Sequence, residues 1–306
     1  MMSQRPALSI IIVSYRTPDI LRDCLRSVRE EAGLSCEVIV VDNASGDGTV
    51  EMVRREFPEV VLIDSATNLG FSPANNLALE RATGEHLLLL NPDTVVRRGA
   101  LATWLEAHQA RGAGISGPRL LNTDGSLQVS AWTVPGLMAS LLELFYLHRW
   151  LGAGAYPKDH FDTDFQPAFV SGAAMLFHRS VHEQVGGLDP TMFWMEDVDL
   201  CVRVRRMGGS CWYFHRPEIV HIGGQSAKQN PERAISNQLL SRIKFARKHG
   251  GALPALAITF VVLLHILTRM AAFGLIAMVR PEPRAKAYRI TLVKLWRYLF
   301  HGDRSI

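Results

Sequence analysis

The sequence is poor in cysteine, and the cysteines it has are not arranged for pairing or for zinc. Cys24, Cys36, Cys201 and Cys211 are the only four in 306 residues, with no C-x-x-C and no ligand spacing. That excludes a disulfide scaffold and a structural zinc module, and it favours reduced, mostly buried thiols in the cytosol. No G-x-G-x-x-G follows the first strand-like run and no G-x-x-x-x-G-K-[ST] occurs anywhere. A dinucleotide-binding turn and a P-loop therefore both lack their central feature. Internal repeats and low-complexity tracts are missing, and the N-terminus does not show the charged, apolar and small-residue order of a secretory signal. Charge of one sign is also scarce. The net value is +4 with a pI near 9.0, which suits anionic partners such as phosphates or lipid headgroups and is too weak to argue for nucleic acid.

Core-forming residues are plentiful, at 48% hydrophobic against 20% charged, so the chain can build a large domain with room for an appendage. Leu8-Ser9-Ile10-Ile11-Ile12-Val13-Ser14-Tyr15 is a continuous apolar run, as a strand covered on both faces would be. Leu21, Cys24, Leu25 and Val28 then fall at helical spacing. Glu37-Val38-Ile39-Val40-Val41 predicts a second strand and Val60-Val61-Leu62-Ile63 a third. A helix is expected over 74–82, followed by the strand His86-Leu87-Leu88-Leu89-Leu90. Strands alternating with helices in this way predict an α/β fold with a mostly parallel central sheet and right-handed crossovers.

In such sheets ligands bind beyond the carboxyl ends of the strands. Ser14 and Tyr15 close the first strand, Asp42 and Asn43 the second, and Asn91-Pro92-Asp93 the leucine strand. A carboxylate after the second strand can accept from a base N–H or a ribose hydroxyl. One after the leucine strand can hold a divalent ion against a diphosphate. Asn-Pro-Asp also reads simply as a turn. With no glycine-rich phosphate cradle, a metal is the natural candidate for handling phosphates.

Beyond residue 100 the pattern is less regular. Residues 114–121 predict a strand running into a turn at Asn122-Thr123-Asp124-Gly125. The stretch 137–151 is apolar and carries Phe145, Tyr146 and Trp150, suiting either an acceptor-side or lipid-touching helix or a core helix. Residues 168–177 read as one strand with a close-approach glycine, Gly172, inside it. In Met192-Phe193-Trp194-Met195-Glu196-Asp197-Val198-Asp199 the acids precede a helical face of Leu200, Val204 and Met207. They suit a helix N-cap. They equally suit a general base whose pKa is raised beside aromatic rings. His221 sits in a short strand that runs into a glycine turn at Gly223-Gly224, as a structural histidine or as one completing a metal shell.

In this order the motifs resemble the inverting GT-A glycosyltransferases of the family-2 type, above all the bacterial rhamnosyltransferase-like branch. The resemblance covers about residues 8 to 245. It implies a GT-A, Rossmann-like nucleotide-sugar-binding domain over 1–250, and the remaining 251–306 reads from its apolar and basic pattern as a membrane-associating helical segment. Ser14, Tyr15, Asp42, Asn43 and Ser45 look like the family's nucleotide pocket, with Asp42 accepting from a pyrimidine N3–H. Asn68, Gly70, Phe71 and Asn75-Asn76 match the branch's loop near the nucleotide-sugar. Asn91-Pro92-Asp93 stands where the family has DxD, which implies Asp93 as metal ligand and Asn91 as an outer group. Glu196-Asp197 matches the acidic pair, with Asp197 as the base. His221 matches a histidine that reaches the metal or diphosphate, and Trp194 and Gly172 fall on the acceptor side. The Q-x-x-R-W motif is absent, which speaks against processive polymerisation.

The C-terminal region 253–279 is the most apolar, interrupted by His265 and Arg269. A lipid-facing Arg at a helix centre would cost about 2.5–3.5 kcal/mol. The following stretch 286–300 places Tyr288, Leu292, Leu295 and Leu299 on one face, with Lys286, Arg289, Lys294 and Arg297 elsewhere, as suits an anionic membrane surface. The expected activity is metal-dependent inverting transfer, with Mg²⁺ or Mn²⁺, of a sugar such as rhamnose from a dTDP- or UDP-sugar. The acceptor is a polyprenyl-linked glycan in cell-wall or surface polysaccharide synthesis. The expected location is cytoplasmic, peripheral on the inner face of the cell membrane or inserted by the C-terminal segment. Galactofuranosyl or other hexosyl transfer, and a non-catalytic nucleotide-sugar-binding scaffold, are the alternatives. Nucleic acid is not an expected partner, and a homo-oligomer stays open.

Overall fold

Two strands buried on both faces, β1 (Leu8–Ser14) and β4 (His86–Leu90), run parallel and side by side with Ile11 opposite Leu89. In the computed structural model, which describes residues 5–31, 34–144, 154, 156–223, 231–279 and 282–300, they are the middle of a nine-stranded sheet. Around them lie β2 (Cys36–Asp42), β3 (Val61–Asp64), β5 (Thr94–Val96), β6 (Ile115–Leu121), β7 (Leu127–Gln128), β10 (Ala174–His178) and β11 (Cys211–His221). The order is β3-β2-β1-β4-β10-β6-β11-β5, with β7 on β6. β3, β2, β1 and β4 are all parallel, whereas β10 is antiparallel to both neighbours and β5 is antiparallel to β11. A separate ribbon pairs β8 (Ala131–Trp132) with β9 (Phe169–Val170).

The helices follow from amphipathic spacing. α1 (Pro18–Arg29) begins with Pro at its first turn, where a missing N–H costs nothing. It buries Leu21, Cys24, Leu25 and Val28 against the sheet. α2 (Thr49–Glu56), α3 (Phe71–Arg81) and α4 (Ala100–Ala110) complete the crossovers, with Trp104 of α4 buried and its indole N–H donating to Ser116 Oγ at 2.9 Å. α3 begins at Phe71, earlier than the expected 74, because Gly70 at φ +88° turns the chain directly into the helix. α6 (Arg179–Val185) and α7 (Glu196–Arg206) follow β10.

The strand expected over 168–177 is two strands. β9 and β10 belong to different sheets, and Ser171-Gly172-Ala173 turns between them, with Ser171 N–H donating to Ser130 O and Ala174 N–H to Ser171 O. The strand carrying His221 is eleven residues long rather than short. Its register shifts between Phe214 and Glu218, so the Pro217 that masks it in the sequence is accommodated in a bulge.

Packing divides the chain into one unit of Met1–Thr133, Ala155–Asp189 and Glu196–Gly223, and another of Val134–Gly154, Pro190–Met195 and Gly224–Ile306. The second unit contains α5 (Leu137–Leu144), α8 (Pro231–Gly250), α9 (Ala252–Ala277) and α10 (Pro283–Phe300). Leu239, Leu240 and Ile243 of α8 share a core with Ile258, Val262 and Ile266 of α9 and with Tyr288 and Leu295 of α10, so packing groups α8 with the later helices. At 26 residues, α9 is long and apolar enough to cross a membrane. It runs unbroken through Arg269, which is buried and donates to Leu144 O at 3.1 Å. Phe145, Tyr146, Trp150 and the turn at Gly224 lie outside the described residues.

At the amino end of β4, opposite the strand ends considered for binding, His86 and His108 are buried and in edge-to-face contact, with ring centroids 5.6 Å apart. Burial is the main cause that lowers both imidazole pKa values, that of His108 to about 3, and the neighbouring histidines add to it. Below the ordinary histidine pKa the unfolded chain takes up protons that the folded one refuses. Stability is therefore full above pH 6.5 and falls as pH drops toward about 3, with His108 contributing up to about 1.4 kcal/mol per pH unit. Melting temperature measured between pH 6.5 and 5 is expected to fall less steeply in His108→Phe than in the wild type, whatever the absolute offset between the two curves.

Candidate active site

The carboxyl ends of β1, β2 and β4 converge on one side of the sheet. The register sets Ser14 opposite Asp42, and Asn43 N–H donates to Ser14 O at 2.9 Å. Asp42 is buried; its Oδ2 accepts from Ser45 N–H at 3.0 Å, while its buried Oδ1 has no hydrogen-bond partner among the described residues. A carboxylate held at one oxygen and open at the other is what an N–H of a base requires. Ser45 Oγ accepts from Arg16 N–H at 2.9 Å, which fixes Arg16 in a left-handed conformation (φ +55°) with its guanidinium 5.1 Å from the Tyr15 ring centroid. Arg16 carries positive charge to this end and was not marked by any sequence motif; only its place next to Ser14 and Tyr15 signalled it.

Asn43 and Asn68 bond each other rather than standing open. Asn43 Nδ2 donates to Asn68 Oδ1 and to Gly70 O, and Asn43 Oδ1 accepts from Leu69 N–H at 2.7 Å. This clasp holds the loop that delivers Phe71 to the start of α3. Asn75 is buried and donates to Phe71 O within its own helix, while Asn76 Nδ2 and Oδ1 bind Leu188 O and N–H at 2.8 Å each. These asparagines shape the wall of the site through the backbone.

At the end of β4, Asn91-Pro92-Asp93 is a turn that also brings Asp93 beside His221. Thr94 Oγ1 donates to Asn91 O, and Asn91 N–H donates to Ala173 O. β5 pairs with β11 so that Thr94 faces His221, and Ile222 N–H donates to Asp93 O. That register brings His221 Nε2 to 3.3 Å from Asp93 Oδ1, with both side chains mostly enclosed. Two neighbouring ligands of an octahedral ion at about 2.1 Å would stand roughly 3 Å apart, so an imidazole and a carboxylate here fit Mg²⁺ or Mn²⁺. Among the described residues no group of three or more His, Cys, Asp or Glu could hold a metal. The pair thus offers two donor atoms, and an ion held there would take its other ligands from outside these two side chains.

Asp197 lies in the first turn of α7. Gly172 N–H donates to its Oδ2 at 3.0 Å and Val198 N–H to its Oδ1 at 2.8 Å. A Cβ at residue 172 would lie 3.3 Å from Asp197 Cβ, a tight contact that glycine avoids. Asp197 is half-buried, and desolvation raises its carboxyl pKa to about 6 against the lowering effect of the backbone N–H donors. Glu196 precedes it at the helix start. The third acid has a different role: Asp199 is fully buried against Arg203 Nε at 2.8 Å, and Arg203 in turn donates to Val185 O and Gly187 O. Phe193 and Trp194, read from sequence as a wall beside the acids, belong to the other packing unit, where Ser241 Oγ bonds the Phe193 backbone. Trp194 is 40% exposed at φ +87°, a strained conformation for a bulky residue.

The chain is 28% identical over 264 residues to the N-acetylglucosaminyl-diphospho-decaprenol L-rhamnosyltransferase of Mycobacterium tuberculosis, covering 80% of this chain and 85% of that one. It is 28% identical over 204 residues to the low-salt glycan biosynthesis hexosyltransferase Agl10 of Haloferax volcanii, covering 65% of this chain and 62% of the relative. Among solved structures it resembles the mannosyltransferase PcManGT of Pyrobaculum calidifontis, in complex with GDP-Man and Mn²⁺, at a TM-score of 0.60 and 18% identity. That likeness covers 98% of this chain and 89% of the other, and with it the fold is of the GT-A type. The model of glycosyl transferase family 2 matches residues 9–186, more than half of the chain, so the protein belongs to that family and is a glycosyltransferase.

Proposed function

We propose that this chain is a metal-dependent inverting transferase that moves a deoxysugar, best matched by rhamnose, from a dTDP- or UDP-sugar to a lipid-linked glycan acceptor at a membrane surface. The observation that carries the reading is Asp197, a single carboxylate aimed by two backbone N–H groups, with its pKa raised to about 6. A base of this kind is half ionised near pH 6 and mostly ionised at neutral pH, yet basic enough to take a hydroxyl proton in the transition state. The rhamnosyltransferase relative, whose name includes a decaprenol-linked sugar, supports the acceptor class. The hexosyltransferase relative supports a hexosyl or galactofuranosyl donor as the second reading.

In this mechanism Asp42 Oδ1 accepts from the base, Ser14, Tyr15 and Arg16 border the nucleotide, and the Asn43–Asn68 clasp with Gly70 and Phe71 shapes the sugar side. Asp93 and His221 would hold the ion, with Asn91 behind them, and Gly172 lies toward the acceptor. A bound Mg²⁺ or Mn²⁺ supplies neutralisation of the charge that develops on the leaving diphosphate. Asp197 accepts the proton as the acceptor oxygen bonds to the anomeric carbon. The bond from that carbon to the diphosphate oxygen breaks, its electron pair leaves with the nucleoside diphosphate, and configuration inverts. The chain needs no second carboxylate as nucleophile, unlike the retaining route of glycosidases.

A membrane surface suits the second unit. Leu253, Leu256, Phe260, Leu267 and Leu275 of α9 and Val293, Trp296 and Phe300 of α10 are exposed, with Arg289 and Arg297 among them. An apolar helical face with basic neighbours attaches to anionic lipid.

Three measurements test this reading. Nucleotide release from dTDP-rhamnose and UDP-hexoses, with a membrane lipid extract as acceptor, is expected to name the donor and to show an acid limb in kcat/KM near pH 6. Asp197→Asn is expected to lower kcat by about 10²–10⁴ while leaving donor binding intact; turnover unchanged by that substitution would sink the catalytic role. Chelation with EDTA is expected to stop transfer and added Mn²⁺ or Mg²⁺ to restore it in the wild type, whereas Asp93→Ala stays inactive. The full chain is expected to float with anionic vesicles, and the pair Phe260→Glu and Trp296→Glu to lower that partition about tenfold or more.

A further inference from the structure

The hairpin between β6 and β7 reaches the Asp93–His221 pair, and its hydrogen bonds define the state of His221. His221 Nδ1 lies 2.6 Å from Gln128 Oε1. The orientation of that amide follows from its other contacts. Gln128 Nε2 lies 3.1 Å from His221 O and 3.0 Å from Asn122 Oδ1, and the backbone carbonyl can only accept, so the NH₂ group must be on that side. Asn122 is fixed by the same logic. Its Nδ2 lies 2.9 Å from Ser126 Oγ and 3.4 Å from Leu127 O, which leaves Oδ1 for Gln128.

Gln128 therefore presents a carbonyl oxygen to Nδ1, and only a protonated Nδ1 can donate to it. In the neutral imidazole the remaining nitrogen, Nε2, then has a lone pair rather than a hydrogen. That lone pair lies 3.3 Å from a carboxylate oxygen of Asp93. Two acceptors at this distance repel each other unless a proton, which would make the imidazolium, or a metal ion lies between them.

We infer that Gln128 is a positioning residue, anchored by Asn122, that locks His221 in the Nδ1–H tautomer and so presents Nε2 as a donor atom beside Asp93. The inference rests on the reading of Asp93 and His221 as the metal pair. It gives the β6–β7 hairpin a role at the site: its turn residue Asn122 sets the amide, the amide sets the imidazole, and the imidazole sets the ligand. Outer partners of metal-bound histidines fix ring and tautomer in this way, and their loss typically weakens metal affinity about 10–100-fold.

The test uses the full chain labelled with ¹⁵N-histidine, at a pH above the imidazole range, with the His221 signals identified by their loss in His221→Asn. Two-bond ¹⁵N–¹H correlations are expected to show the Nδ1–H tautomer in the wild type and in Gln128→Glu, which keeps an acceptor oxygen. Gln128→Leu is expected to move His221 to the Nε2–H tautomer, now donating to Asp93, and Asn122→Leu to give a mixture because the amide is freed to turn. In parallel, Mn²⁺ binding in the presence of UDP or dTDP, followed by the paramagnetic resonance of free Mn²⁺, is expected to weaken about 10–100-fold in Gln128→Leu and to be kept in Gln128→Glu. A His221 tautomer that is unchanged in Gln128→Leu, or an Nε2–H tautomer in the wild type, overturns the inference. Mn²⁺ binding that is the same in the wild type and in Asp93→Ala overturns instead the assignment of the metal pair, and the tautomer result still decides the role of Gln128.

Discussion

The parallel ladder between β1 and β4 is the constraint on which the rest of the structure depends. Both strands are buried on both faces, so neither can slip in register without moving a polar end into the core. Fixed in this way, they present Ser14 and Asn91 at the same, carboxyl end of the sheet. β2 adds Asp42 by the same register, and the antiparallel β10 pins Ala174 opposite Leu90. The site is built from backbone that the core has already paid to order.

From that base the chemistry is assembled mainly by main-chain groups. Ala173 O receives Asn91 N–H, and next to it Gly172 N–H holds Asp197. The leucine strand and the base of α7 are thus joined through one three-residue turn, and the absence of a Cβ at Gly172 avoids a tight contact there. The same economy applies at Asp42, which takes Ser45 N–H, and at Asp93, whose carbonyl takes Ile222 N–H. The side chains proposed for reactive roles are fixed by neighbours' backbones, so their positions follow from strand and helix ends rather than from flexible loops.

Several features were legible in the sequence for clear physical reasons. β1, β2 and β4 announced themselves as uninterrupted apolar runs, and the acids before Leu200 marked the start of α7. The strand pair β9 and β10 was not legible as two, because periodicity has no term for a glycine drawn aside by a carboxylate far along the chain. The long β11 was hidden by Pro217, which reads as a strand breaker unless a bulge is known. Asp199 looked like a member of the acidic site, and only its contact with Arg203, which reaches Val185 and Gly187, gave it a supporting role. Arg269 looked like a flaw in an apolar helix until Leu144 supplied its partner.

By itself, the sequence determined the order of the first four strands and the helices between them, the strand ends that carry Ser14, Asp42, Asn91 and Asp93, and the acid-bearing start of α7, because apolar runs and helical spacing are local properties. The tertiary structure alone decided that Asp93 meets His221, that Gln128 faces Nδ1 of that histidine, and that Asp197 is both partly buried and aimed. Those facts depend on register and burial between segments far apart in the chain, and a desolvated carboxylate or an oriented imidazole is a property of what surrounds it rather than of the residue.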